Sequence, residues 1–207
     1  MSSITVIGTG NVAGAVASLA ARGGASVQIL GRNREKASKL AAQISATPGI
    51  IGDAITGDIV VFALPYAAIA EVAESYGTAL DGKVVVDVSN PVDFQTFDGL
   101  TVPADSSAAA ELQVKLPQAK VVKAFNTNFA GTLASGLVGD VPPTVLVAGD
   151  DDGAKQALVD VVTAGGANAA AVGSLKRARE LEAFGFLQIT LAAQEIIGWD
   201  GGFALRK

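Results

Sequence analysis

A chain of 207 residues, half of them hydrophobic, is long enough for one compact domain with an appendage and too short for two full ones. The absence of cysteine and histidine excludes disulfides, thiolate chemistry and cysteine metal sites, and removes the commonest general base and metal ligand. A net charge of −5 without a basic run argues against nucleic acid and anionic membrane surfaces, and neither a membrane-length apolar run nor a charged leader is seen, so a cytoplasmic protein with small-molecule partners is expected.

The chain opens on Ile4-Thr5-Val6-Ile7-Gly8-Thr9-Gly10-Asn11-Val12-Ala13-Gly14. Ile4, Val6 and Ile7 read as a buried strand, and Val12, Ala15, Val16 and Leu19 recur at helical spacing. Gly8 permits a tight turn between them, Gly10 leaves a pyrophosphate free to approach the backbone, and Ala13 lets the helix pack closely on the strand. The free N–H groups at the helix start then face the phosphates, with Thr9, Asn11 and Val12 beside them. This is a dinucleotide-binding pattern, although an ordinary glycine turn would share its residues.

Ser26-Val27-Gln28-Ile29-Leu30-Gly31 is the second strand, and the residues after it choose the cofactor. An NAD enzyme places an acid there for the ribose hydroxyls, whereas this chain has Gly31-Arg32-Asn33-Arg34. Arg32 and Arg34, with Lys36 nearby, can pair with a 2′-phosphate, and Asn33 can cap the next helix, so NADP(H) is expected over NAD. That helix should run over residues 34–43, with a break at Thr47-Pro48-Gly49 and a short third strand within residues 50–55.

Residues 58–64 form a continuous apolar strand that ends at Pro65, placed at the first position of a helix carrying Ile69, Val72, Ala73 and Tyr76. A fifth strand over residues 83–88 delivers Ser89-Asn90-Pro91 to its carboxyl end, where ligands of open parallel sheets collect. Residues 93–103, with Phe94 and Phe97, form a loop long enough to cover a pocket, and a helix follows over residues 105–116. The sixth strand, residues 119–124, leads into the polar and aromatic segment Phe125-Asn126-Thr127-Asn128-Phe129. Lys123 is the one residue near this edge able to act as a proton donor, and a lysine at a strand end is usually solvated. Residues 144–148 form a seventh strand, and Asp150-Asp151-Asp152 read as a helix cap rather than a metal site. A short strand at residues 168–172 precedes a long helix over residues 174–197, apolar almost all round, which needs burial on its own domain or in a homodimer. The fold expected is α/β: a Rossmann-type, doubly wound, mainly parallel sheet over residues 1–172 with a small C-terminal helical extension over 173–207.

With these residues in view, the chain resembles the NADPH-dependent reductases of coenzyme F420, the 8-hydroxy-5-deazaflavin:NADP oxidoreductases. The likeness is carried by Gly8-Thr9-Gly10-Asn11, Gly31-Arg32, Ala63-Leu64-Pro65, Asn90-Pro91, Val122-Lys123-Ala124-Phe125-Asn126-Thr127, Gly149-Asp150-Asp151-Asp152 and the closing helix, and it covers nearly the whole chain. Cytosolic domains of ferric reductases look similar. The resemblance implies that Ala63, Leu64, Pro65, Asn90, Pro91 and Ala124 join the cofactor site. It also implies that the nicotinamide lies between Pro65 and Asn126, with the deazaflavin above it in a pocket of Tyr66, Phe125, Asn126, Thr127 and Phe129. One position departs from the pattern, since archaeal members carry a histidine where Asn126 stands.

Hydride passes directly from ring to ring, so such a reaction needs proximity and orientation more than an acid or base, and no catalytic side chain is assigned. A flavin, quinone or ferric chelate is the alternative acceptor. A second alternative is a non-catalytic NADPH sensor, its pocket filled by Phe129 or by the loop at residues 93–103.

Overall fold

The computed structural model describes residues 2–205. The elements run β1 (Ser3–Ile7), α1 (Asn11–Arg22), β2 (Ser26–Gly31), α2 (Arg34–Ile44), β3 (Thr47–Ile50), β4 (Ile59–Phe62), α3 (Tyr66–Tyr76), β5 (Val84–Asp87), α4 (Ala108–Lys115), β6 (Lys120–Lys123), α5 (Ala130–Ser135), β7 (Thr144–Gly149), α6 (Asp152–Ala164), β8 (Asn168–Gly173) and α7 (Ala178–Ala193). The strands form one sheet in the order β3-β2-β1-β4-β5-β6-β7-β8. Every neighbour pair is parallel except β6 and β7. The order reverses direction at β1 and β4, so a crevice opens outside their carboxyl ends, which is the expected doubly wound plan.

Alternation along the strands divides the core between the two faces. Ile4 and Val6 pack with Val16 and Leu19 of α1 and Leu158 and Val162 of α6, whereas Ile7, Val60 and Phe62 pack with Ile69 and Val72 of α3 and Leu112 of α4. Thr5 shares that second direction but is polar. Its hydroxyl donates to Gln28 Oε1 at 2.7 Å and accepts the Gly57 N–H at 2.9 Å, which satisfies it inside the core.

Several element boundaries differ from the sequence reading for local reasons. Thr47-Pro48-Gly49 does not merely break α2 but is most of β3, because Ser45 in the left-handed region ends the helix and the chain re-enters the sheet at once. β3 is an edge strand, where the missing N–H of Pro48 removes no interior ladder bond. α4 starts at Ala108, since the Ser107 hydroxyl accepts the Ala110 N–H and sets the cap, leaving Asp105 outside. Pro65 is the cap residue of α3 rather than its first helical residue. The helix expected over residues 174–197 is a short 3-10 turn, Leu175–Arg177, followed by α7 alone. Glu195, at φ 59°, turns the chain out of helical geometry, and residues 194–205 continue as an irregular strap. Asn33 and Asp151 cap α2 and α6 by accepting the Lys36 and Ala154 N–H groups.

Candidate functional site

The crevice at the switch point is built first by the glycine turn. Gly8 sits at φ +138°, and a Cβ there would lie 2.2 Å from the Ala63 carbonyl oxygen, so glycine is what lets β1 turn against the end of β4. Gly10 caps α1 without a side-chain bond, and a Cβ on it would meet nothing within 4 Å. The first N–H groups of α1, at Asn11 and Val12, therefore face open space with the positive end of the helix dipole behind them. A groove of about 630 Å³ runs from Thr9, Gly10 and Asn11 along the flank of α1, bordered by Lys36, Lys39 and Gln43 of α2.

Gly31 brings the end of β2 against this turn, since a Cβ on it would lie 2.5 Å from Thr9 Cγ2. Arg32, Asn33 and Arg34 follow, all exposed. Arg34 makes a loose contact of 3.9 Å with Asp53 across solvent, and neither arginine lines the groove itself.

A second cavity of about 640 Å³ shares Asn11, Ala130 and Gly131 with the groove. Of the residues named from sequence, it brings together Asn11, Val12, Asn90, Phe125, Asn126 and Phe129. It adds Asn128 of the polar segment after β6, and Val88, Ile189, Trp199 and Asp200, which sequence reasoning did not place at a site. Its floor is a pair of interlocked amides. Asn90 Nδ2 donates to the Asn126 carbonyl at 2.8 Å, and Asn126 Nδ2 donates to Asn90 Oδ1 at 2.9 Å and to the Leu181 carbonyl at 2.8 Å. Phe125, buried and at φ +63°, makes the reversal after β6 that aims Asn126 at Asn90. A non-glycine residue in that region is strained by roughly 1–3 kcal/mol, a cost found where the surroundings over-determine the backbone. Among the described residues, Asn126 Oδ1 and Asn128 Oδ1 are buried without a hydrogen-bond partner.

α7 closes the floor through Gly185, where a Cβ would lie 2.5 Å from Asn90 Oδ1. A glycine between Phe184 and Phe186 in a helical run was the available signal for this close approach.

Other named residues lie elsewhere. Ala63, Leu64 and Pro65 stand at the end of β4, and Pro91, Ala124 and Thr127 line neither space, Ala124 being packed in the core. Tyr66 does not line the second cavity: its hydroxyl donates to Glu111 of α4, and it lines a separate cleft of about 270 Å³ with Ile69 and Leu112. Burial, reinforced by the Glu111 carboxylate, pushes its phenol above the usual tyrosine value. The loop at residues 93–103 does not cover the cavity. It is folded on itself by the Val92–Leu100 bridge and by Asp93, which accepts the Gln95 and Thr96 N–H groups and the Thr96 hydroxyl.

Lys123 is not solvated. It is fully buried, 2.7 Å from Asp87 and 2.8 Å from Glu182, and donates also to the Ser89 carbonyl at 2.6 Å. Glu182 in turn accepts the Ala108 N–H at 3.0 Å, tying α7 to α4. Burial raises the Glu182 carboxyl above its ordinary value, opposed by Lys123. With three donor contacts committed beneath the Ser89-Asn90 turn, Lys123 is a buried structural cation rather than a free proton donor.

A doubly wound sheet with a glycine turn, an uncapped helix start at the switch point and an adjoining cavity defines a Rossmann-type dinucleotide-binding protein. Residues 3–91 match the family model described as NADP oxidoreductase, coenzyme F420-dependent. The chain is 32% identical over 170 residues to the F420-dependent NADP reductase of Methanocaldococcus jannaschii, covering 76% of both chains. It is 30% identical over 183 residues to the metalloreductase STEAP3 of Rattus norvegicus, covering 87% of this chain but only 36% of that protein. Among solved structures, a candidate F420-dependent NADP-reductase from Arthrobacter sp. FB24 superposes with a TM-score of 0.84, 25% identity and 99% coverage of both chains. The chain belongs to the F420-dependent NADP reductase family and is an NADP-dependent oxidoreductase. No helix among the described residues is long and apolar enough to cross a membrane.

Proposed function

We propose that this protein moves a hydride between NADPH and a planar acceptor, with the deazaflavin coenzyme F420 the first choice. The observation that carries this reading is the continuity of the open N-terminus of α1 with a cavity lined by amide and apolar side chains. NADPH would supply the hydride. The Gly8–Val12 turn would hold the pyrophosphate, Arg32 and Arg34 the 2′-phosphate, and Asn90 and Asn126 the floor on which the reacting rings meet. The unpartnered oxygens of Asn126 and Asn128 suit an amide or ring N–H donor, so the residues fit the group. Residues 1–172 would form the cofactor-binding unit and residues 173–207 its cover. Apolar side chains left exposed on and beyond α7, Leu187 and Ile196 among them, support a homodimer through this end. The test is turnover: NADPH oxidation followed at the nicotinamide absorbance with coenzyme F420 as acceptor. Failure with F420 but activity with riboflavin, a quinone or a ferric chelate would move the assignment to the second reading, which the likeness to a metalloreductase favours.

A further inference from the structure

We propose that the strap after α7 is the acceptor-selecting wall of the cavity, and that Trp199 is the residue on it that recognises a flat aromatic ring. The proposal rests on the hydride-transfer reading of the cavity. Residues 194–205 have no helix or strand, yet they are pinned across the mouth at separate points. The Thr132 hydroxyl donates to the Gly201 carbonyl at 2.6 Å, the Leu205 N–H donates to the Thr144 hydroxyl at 3.2 Å, and Phe203 packs on Phe184 at 4.9 Å between ring centroids. Gly131 is part of the seat, because a Cβ there would lie 2.8 Å from the Trp199 carbonyl oxygen.

This pinning delivers one large side chain to the site. The indole of Trp199 leans on Phe129 at 5.0 Å and 53°, and both rings line the cavity with Ile189. Trp199 is nonetheless 56% exposed, so much of it is open to water. A surface tryptophan held in place and partly open beside a cavity is a stacking platform, since aromatic pairs gain beyond their buried area. The chemistry of the rest of the wall narrows the ligand. Asp200 is the only charged side chain lining the cavity among the described residues, whereas the cofactor groove has Lys36 and Lys39. The carboxylate therefore disfavours an anionic ring beside the strap, and any anionic substituent the ligand carries is directed away from it.

The experiment uses the full chain saturated with NADP+, into which coenzyme F420 and riboflavin are titrated separately. Trp199 is the only tryptophan, so quenching of its emission reports directly on the strap. Saturable quenching by a ring compound is expected in the wild type, with Trp199→Ala weakening calorimetric binding of that compound by about tenfold and Trp199→Phe recovering most of it. NADP+ affinity should stay the same in both variants, and in turnover KM for the acceptor should rise with kcat little changed. The proposal is overturned if Trp199→Ala binds both compounds as wild type does, or if NADP+ binding falls in parallel. It is equally overturned if neither compound quenches the wild type. Quenching and calorimetric loss without any NADPH oxidation would retain Trp199 as the ring platform and reject the hydride-transfer reading.

Discussion

Replacing Lys123 by methionine removes the one cation from a pocket that holds two carboxylates, and its cost can be worked from the contacts. Lys123, Asp87 and Glu182 all have fully buried side chains, and among the described residues the lysine is the only positive partner of either acid. Breaking a buried ion pair from one side typically costs about 3–5 kcal/mol, because the surviving charge is left desolvated and alone. In a chain of this size each kcal/mol moves Tm by about 2–4 °C, so a loss of about 6–20 °C is expected. Circular dichroism melts at neutral pH give the answer directly. The loss should be the same at low and at high salt, since the pocket is dry and screening acts on exposed charges. Adding Glu182→Gln to Lys123→Met should recover part of it, because one stranded carboxylate becomes neutral while its bond to the Ala108 N–H can be kept. A Lys123→Met protein melting within about 2 °C of wild type, or a double variant no more stable than the single one, would refute the account of Lys123 as a structural cation.

Gly10→Val should fold as wild type does, since its Cβ meets nothing within 4 Å, and should lose NADPH binding by calorimetry; undiminished affinity would remove the pyrophosphate from this turn. Arg32→Ala with Arg34→Ala should weaken NADPH far more than NADH, by roughly ten- to a thousandfold from one or two charge-assisted hydrogen bonds, and equal weakening of both cofactors would make the arginines structural. Glu182, its carboxyl raised by burial, binds a proton more readily folded than unfolded. Its stabilising contribution is therefore full below the unfolded value and lost as pH rises through the folded one, and the Tm of Glu182→Gln relative to wild type should climb across that rise. Light scattering at micromolar concentration should report a dimer, and a monomer would leave Leu187 and Ile196 as plain surface.

What was legible in the sequence was what neighbours along the chain decide. The Gly8 turn, the Asn33 and Asp151 caps and the apolar strands follow from sterics and hydrogen bonds within a few residues. β3 was not legible, because Pro48 and Gly49 argue against a strand unless the strand is known to be an edge. Nor was the burial of Lys123, whose partner Asp87 stands 36 positions away and whose partner Glu182 is on the last helix. α7 misleads for a related reason. Its aromatic residues suggest burial all round, yet the face turned inward is Ala178, Leu181, Glu182, Gly185, Gln188 and Ala192, small and polar where it meets the amides and the lysine.

That polar inward face accounts for where the molecule concentrates its unfavourable terms. The glycine turn carries little strain, because glycine tolerates its dihedrals and open space lies in front of it. The second cavity is different. Phe125 is held in the left-handed region, and Ser89 Oγ, Asn126 Oδ1, Asn128 Oδ1 and both amide atoms of Gln188 are buried without partners among the described residues. Ser89, Asn126 and Asn128 follow the carboxyl ends of β5 and β6, where the two amides line the cavity, and Gln188 sits one turn along α7 from Gly185. The Leu181 carbonyl that helps hold Asn126 is backbone, so what α7 must supply there is a close approach, and Gly185, with no Cβ to meet Asn90 Oδ1, supplies it. The two spaces therefore follow different rules: backbone geometry shapes the groove at the start of α1, and imperfectly paired side chains, kept in place by α7 and its strap, shape the cavity proposed for the acceptor.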